Sequence, residues 1–380
     1  MTKTVPPANN GNSTMKEIIA GNLTRYRKGL RLSQEVLALQ AGVTRQSINN
    51  YENAKTLPDS KTLSTLARAL GVTLDDLLRQ ESATLPAFRF RAHTSFDKNP
   101  QFAAQVLRLL EDYTALEQAV GIPTYAPEST PCHQLESNEK RIAEIATQFR
   151  HRLGLGEAPI HNLFEAVEEI GLKVLRLSIP IPGFFGLSAC SADQGAFVLV
   201  NTHNQSIERQ LFTLAHEIGH LIFHRGEYQD TLMEEGTKEE EKAREAVANH
   251  FASHLLVSQD ALERALNVFS DLTKLKAHFR VSYTMMLMRL DQMGKLKYSD
   301  AIQKIRWEYK RRTGQSLTKE IELEPILPAE DFPMNQRFTK LVWQALKLGK
   351  VSELKAAELL NLSVEDLRLA RREAEAYAIL

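Results

Sequence analysis

Apolar residues recur at helical spacing along most of the chain. Ile18-Ile19, Leu23, Tyr26 and Leu30 fall on one helical face, and Leu63, Leu66, Ala67, Leu70 and Val72 fall on another. Together with the short segments between them they predict about five helices over residues 15–80. Phe102, Val106, Leu109-Leu110, Tyr113 and Leu116 predict a helix over 101–120. Ile142, Ile145-Ala146 and Phe149 predict another over 139–153, and Leu163, Phe164, Val167 and Ile170 a third. The period then changes. Lys173-Val174-Leu175-Arg176-Leu177 alternates, and the runs 186–190 and 196–201 read as two more strands of a small sheet. Helical spacing returns over 209–224, 245–256, 260–298 and 334–378. The expected class is α+β, mainly helical.

Punctuation divides the pattern. Residues 1–14 are polar and rich in Pro and Asn, and are expected to be a disordered tail. Residues 81–137 are expected to be a linker with one helix. Residues 81–100, with Pro86, Pro100 and the alternating Phe88-Arg89-Phe90-Arg91, read as a linker or an extended arm, and Pro123, Pro127 and Pro131 mark a second loop. The stretch 225–241 reads as a polar, acidic loop. The expected domains are therefore 15–80, 138–298 and a helical C-terminal region, 299–380. Within that last region Lys355–Ser363 has a weak helix-turn-helix cadence, better read as plain helical packing or a dimer module.

Composition changes this picture little. The 380 residues are 43% hydrophobic and 25% charged, ordinary for a globular protein. Lys plus Arg equal Asp plus Glu at 47 each, so no global field favours nucleic acid. Residues 15–80 differ, with ten Lys/Arg against six Asp/Glu, a local net of about +4. The two cysteines, Cys132 and Cys190, are far apart in sequence, which argues against a disulfide framework and suits a reducing cytoplasm. No apolar run approaches about 18 residues, so no membrane partner is expected.

The chemistry concentrates in Leu211–His224. His216-Glu217-x-x-His220 is the zincin pattern. Histidines four apart stack on one helical face, so both imidazoles reach a single Zn²⁺. Glu217 projects beside them, where a carboxylate takes a proton from attacking water. The surrounding Leu, Ala, Ile and Phe bury the helix, so its polar groups need a reason. Three protein ligands are usual for a catalytic zinc. His250 and His254, four apart, and His224, four after His220, are rivals for the third position.

Two resemblances follow. Ser33-Gln34, Ala38, Ala41-Gly42-Val43, Ser47-Ile48, Tyr51-Glu52, Pro58 and Leu66-Ala67-x-x-Leu70-Gly71-Val72 resemble the Cro/repressor-type (XRE) helix-turn-helix family over all of 15–80. The resemblance implies an operator in double-stranded DNA, bound by a homodimer, with the second helix in the major groove. By position Arg45, Gln46 and Asn50 would read bases, and Gln34, Ser47 and Lys55 would meet phosphates. The second resemblance is to the ImmA/IrrE metallopeptidases. It rests on Arg209-x-x-Phe212-Thr213-x-Ala215-His216-Glu217-x-Gly219-His220 and Glu245-x-x-Ala248-Asn249-x-Phe251-Ala252-x-x-Leu255-Leu256. Ile142-Ala143-x-Ile145-Ala146, Gly154-Leu155-Gly156 and Gly186-Leu187-Ser188 match as well. Val247 and Ser258 depart from the family's acidic residue and proline.

This second resemblance implies a zincin-like domain, with Glu245 as the third ligand beside His216 and His220 and with Glu217 as the catalytic base. It further implies that a helix-turn-helix repressor is cleaved, derepressing stress, phage-defence or mobile-element genes. A pure sensor and an antitoxin-like binder are the competing readings. An edge strand of the small sheet would hold the substrate peptide by strand addition.

Overall fold

A computed structural model describes residues 14–29, 32–70, 72, 74–78, 89–91, 100–227, 238–318 and 320–377. The expected tail, most of the expected arm and residues 228–237 of the expected acidic loop lie outside the described residues. The chain divides into two compact units, with residues from Leu110 onward in the second.

The first unit is helical: α1 (Met15–Gly29), α2 (Gln34–Ala41), α3 (Arg45–Glu52), α4 (Ser60–Leu70) and α5 (Leu74–Leu78). Its start and stop signals are those in the sequence. Ser33 accepts from the Val36 N–H at α2, and Thr44 accepts from the Ser47 N–H at α3. Between them Gly42 takes φ +68°, the left-handed turn that sends the chain from one helix to the next. Leu23, Leu37, Ile48, Leu66 and Leu70 form the fully buried centre. Arg27 and Gln34 both reach Glu52, tying α1 and the start of α2 to the end of α3.

The second unit is a small sheet packed by helices. Its elements are β1 (Arg89–Arg91), the later part of α6 (Pro100–Val120), α7 (Glu139–Arg152), α8 (Leu163–Glu169), β2 (Lys173–Leu177), β3 (Gly186–Ser191) and β4 (Gly195–Asn201). There follow α9 (Ile207–Phe223), α10 (Lys238–Leu256), α11 (Gln259–Leu266), α12 (Leu272–Phe279), α13 (Tyr283–Gln292) and α14 (Tyr298–Thr313). The last are α15 (Gln336–Lys347), α16 (Glu353–Leu360) and α17 (Val364–Tyr377). The sheet runs β1-β3-β4-β2. β3 and β4 form an antiparallel hairpin, and β2 lies parallel to β4. β2 and β4 are buried nearly end to end, as strands covered on both faces must be.

The sheet's two edge strands are β1 and β2. β1 pairs antiparallel with β3, Arg89 opposite Cys190 and Arg91 opposite Ser188. A strand lies within the stretch expected to be a linker or extended arm, because alternating residues beside an unpaired ladder complete its hydrogen bonds. The stretch 121–137 has no helix or strand, yet it is held firmly. The Thr130 N–H donates to the Ile222 carbonyl at 2.8 Å, and the Cys132 N–H to that of Phe223 at 3.4 Å, so this stretch satisfies carbonyls at the end of α9.

Two buried charged groups fasten the sheet to its surroundings. Lys173 on β2 meets Glu117 at 2.8 Å, both side chains fully buried, and Arg337 meets the same carboxylate at 2.6 Å. Arg176, also on β2, donates to Gln210 of α9 at 2.7 Å and to the Phe332 carbonyl at 2.7 Å. No described helix is long and apolar enough to cross a membrane.

Candidate metal centre and nucleic-acid interface

Helix α9 is the centre of the second unit. Ser206 caps it by accepting from the Arg209 N–H. Leu214, Ala215, Ile218 and Leu221 are wholly buried, which fixes its roll. That roll turns His216 and His220 toward α10. Gly219 faces α10. A Cβ there would lie 3.2 Å from both Ala248 Cα and Phe251 Cδ1, so any larger residue would push the helices apart by a few tenths of an ångström. Glu245, three residues before Ala248, is thereby brought over the imidazoles.

The result is a compact triad. His216 Nε2 and His220 Nε2 are 2.9 Å apart. Glu245 places one carboxylate oxygen 3.3 Å from the first and the other 3.2 Å from the second. Zinc–ligand bonds of about 2.0–2.1 Å imply tetrahedral edges of about 3.3 Å, so these spacings fit one ion. His220 is almost wholly buried, while Glu245 is 34% exposed and opens the cluster on one side. Burial alone would raise the Glu245 carboxyl, but the two imidazoles hold it far below the usual carboxylate range. Burial lowers His216, but Glu245, with Glu217 and Asn249, offsets it and leaves the ring above its ordinary value.

The other nitrogen of each ring is also held. His216 Nδ1 lies 2.9 Å from Asn249 Oδ1, and His220 Nδ1 lies 2.8 Å from His224 Nδ1. A ligating histidine needs such a partner to fix its tautomer and ring plane. In the sequence Asn249 stands four residues after Glu245, inside the motif that carries the second resemblance, but nothing there assigned it this partner.

The rival ligands are engaged elsewhere. His250 Nε2 donates to the Glu139 carbonyl at 3.2 Å. His254 Nε2 accepts from Arg289 at 3.0 Å, and burial with that guanidinium pushes the ring down to about 2. His224 stands behind His220. Glu217 lies outside the triad. It is buried on α9 beside Gly186, where a Cβ would come 3.5 Å from Glu217 Cγ and 2.7 Å from Thr213 Cγ2. Its charge is close enough to His216 to help raise that ring's pKa.

Beyond the triad, toward the N-terminus of α9, lies a cavity of ≈ 260 Å³ whose walls include Arg209, Phe212, Tyr283, Met285 and Arg306. Of its lining residues Phe212 is a ring neighbour of His216, with centroids 6.3 Å apart, but no ligand residue lines the space itself.

The first unit presents a different surface. Arg45, Gln46 and Lys55 are exposed, and Ser47 and Asn50 half-buried. Gln46 Nε2 donates to Asn50 Oδ1 at 3.2 Å, pairing the two amides on one face of α3. Ser47 Oγ meets Thr44 Oγ1 at 2.9 Å. Gln34 is partly used inside the fold, since its amide donates to Glu52 at 2.8 Å.

Residues 159–291 match the family described as the IrrE N-terminal-like domain, peptidase family M78. Residues 23–77 match a helix-turn-helix family. The chain joins a helix-turn-helix domain to an IrrE N-terminal-like domain. A curated relative, the uncharacterized HTH-type transcriptional regulator YqaE of Bacillus subtilis (strain 168), is 41% identical over 61 residues, 16% of this chain. The chain spans 53% of that relative's length. Among solved structures, ComR from S. thermophilus in complex with DNA and its signalling peptide ComS is 13% identical. It covers 93% of this chain and 99% of its own at a TM-score of 0.22. Apo ComR from Streptococcus vestibularis is 14% identical, covering 95% and 99% at 0.17. Such scores carry no argument about fold or function.

Proposed function

We propose that this protein is a DNA-binding transcriptional regulator whose second unit is a zinc endopeptidase, and that its substrate is a helix-turn-helix repressor. One observation carries the catalytic part. Two imidazole nitrogens and a carboxylate converge at spacings that suit one tetrahedral ion, and a second carboxylate, Glu217, lies outside the set but acts electrostatically on His216.

His216, His220 and Glu245 would hold the ion. Zinc bound there supplies Lewis acidity, polarising a peptide carbonyl and acidifying water. Glu217 accepts the proton of the attacking water on a carboxylate oxygen, then returns it to the leaving amine nitrogen. Asn249 accepts from His216 Nδ1–H and so keeps Nε2 turned inward. The cavity beside Phe212 offers room for a substrate side chain.

The DNA part rests on the exposed Arg45, Gln46 and Lys55 with Ser47 and Asn50 on and just after α3, the helix that enters the groove in such domains. A homodimer on a two-fold operator follows from that mode, as does work in the cytoplasm. The reading is tested by metal analysis of the purified protein and by incubating it with helix-turn-helix repressors from the same genome. Stoichiometric zinc and discrete repressor fragments by mass spectrometry are expected. A protein without zinc, or repressors all left intact, would reject the catalytic reading.

A further inference from the structure

His224 follows His220 by four residues at the C-cap of α9 and is 1% exposed. Its ring bridges two partners. Nδ1 is 2.8 Å from His220 Nδ1, and Nε2 is 2.9 Å from the Cys132 carbonyl oxygen. A carbonyl only accepts, so the hydrogen of that second contact sits on His224 Nε2. In a neutral imidazole Nδ1 then holds a lone pair. It accepts from His220 Nδ1–H, and the remaining lone pair of His220, on Nε2, points at His216 and Glu245. With both rings neutral, every hydrogen in the chain Cys132 O, His224, His220 is thereby placed.

We infer that His224 is the positioning residue for His220. It fixes the tautomer and ring plane that metal binding requires, with the 121–137 stretch as its anchor. The inference rests on the metal reading given above. His216 is served by an amide oxygen on α10, whereas His220 is served by a second imidazole tied to a stretch outside the matched family region 159–291. The backbone bonds from Thr130 and Cys132 to the end of α9 keep the Cys132 carbonyl at the right height. The metal centre of this chain therefore reaches back to residue 132.

Two measurements on the full chain test this. In the metal-free protein, imidazole ¹⁵N spectra should show His224 protonated on Nε2 and unprotonated on Nδ1, with His220 protonated on Nδ1. A His224 hydrogen on Nδ1 would overturn the inference. Zinc affinity by chelator competition is the second. His224→Phe keeps the bulk and removes both bonds, and should weaken zinc by about 10–100-fold. His224→Asn places an oxygen near the Nδ1 position, as Asn249 does for His216, and should hold zinc within about threefold of the wild type. Wild-type affinity in His224→Phe, or an Asn variant as weak as the Phe one, would contradict the assignment. A wild-type protein that binds no zinc rejects the metal reading instead, and the nitrogen spectra then decide alone whether His224 orients His220.

Discussion

Gly219→Ala is the substitution that probes how the centre is built. The added Cβ would meet Ala248 Cα and Phe251 Cδ1 at 3.2 Å and Ala248 Cβ at 3.4 Å. Each contact is a few tenths of an ångström too short, so α9 and α10 must part by about that much. Overpacking of this kind costs about 1–3 kcal/mol. Replacing glycine inside a helix returns about 1 kcal/mol. Stability should thus fall by only about 0–2 kcal/mol. Zinc should respond more sharply. Glu245 rides on α10 one turn from Ala248, and metal geometry tolerates about 0.2 Å. A loss of at least about tenfold in affinity, about 1.4 kcal/mol, is expected. Urea unfolding with chelator present measures the first quantity, and competition with a fluorescent zinc chelator measures the second. Unchanged zinc affinity would refute the claim that the helix approach at Gly219 sets the ligand geometry.

Other expectations follow from the same structure. His216→Ala, His220→Ala and Glu245→Ala should each purify with little zinc by elemental analysis, whereas His250→Ala should keep it; the reverse pattern for Glu245 and His250 would move the third ligand. Arg45→Ala should cost about 1–3 kcal/mol of operator binding and relax specificity at one base pair, while Lys55→Ala should weaken all sequences evenly and lower the salt slope by about one, both read by gel shift across salt. Burial raises the Glu168 carboxyl to about 7 against the pull of Arg337. The folded state therefore binds that proton more tightly than the unfolded chain does. Its stabilisation, about 3 kcal/mol, should be complete below about pH 4.5 and lost as pH rises to about 7, a slope that Glu168→Gln should flatten in urea titrations.

Where the sequence was readable, it was readable for local reasons. Ser33, Gly42 and Thr44 cap α2 and α3 through atoms within a few residues, so spacing alone placed them. The apolar frame of α9 likewise announced a buried helix whose histidines share a face. What was hidden depends on distant partners. Glu117 and Lys173 are 56 positions apart, and nothing in either neighbourhood marks a fully buried ion pair. His224 could be read as a rival ligand or as a residue packed behind the ligands, because only the position of the Cys132 carbonyl shows which way its nitrogens point. The strand β1 could not be read from three residues, since its ladder is supplied by β3. Residues 121–137 read as loop and have no helix or strand, but their backbone bonds to α9 are invisible in sequence.

Glu217→Gln separates catalysis from every other role of the second unit. The amide keeps the shape of the buried carboxylate beside Gly186 and removes the base. The variant should retain zinc and operator binding and lose repressor cleavage by about 10²–10⁴-fold or more. In cells it should leave the target genes repressed under inducing conditions. A Glu217→Gln protein with full zinc that still cleaves the repressor at the wild-type rate, or that induces normally while no repressor is cut, would contradict the endopeptidase account.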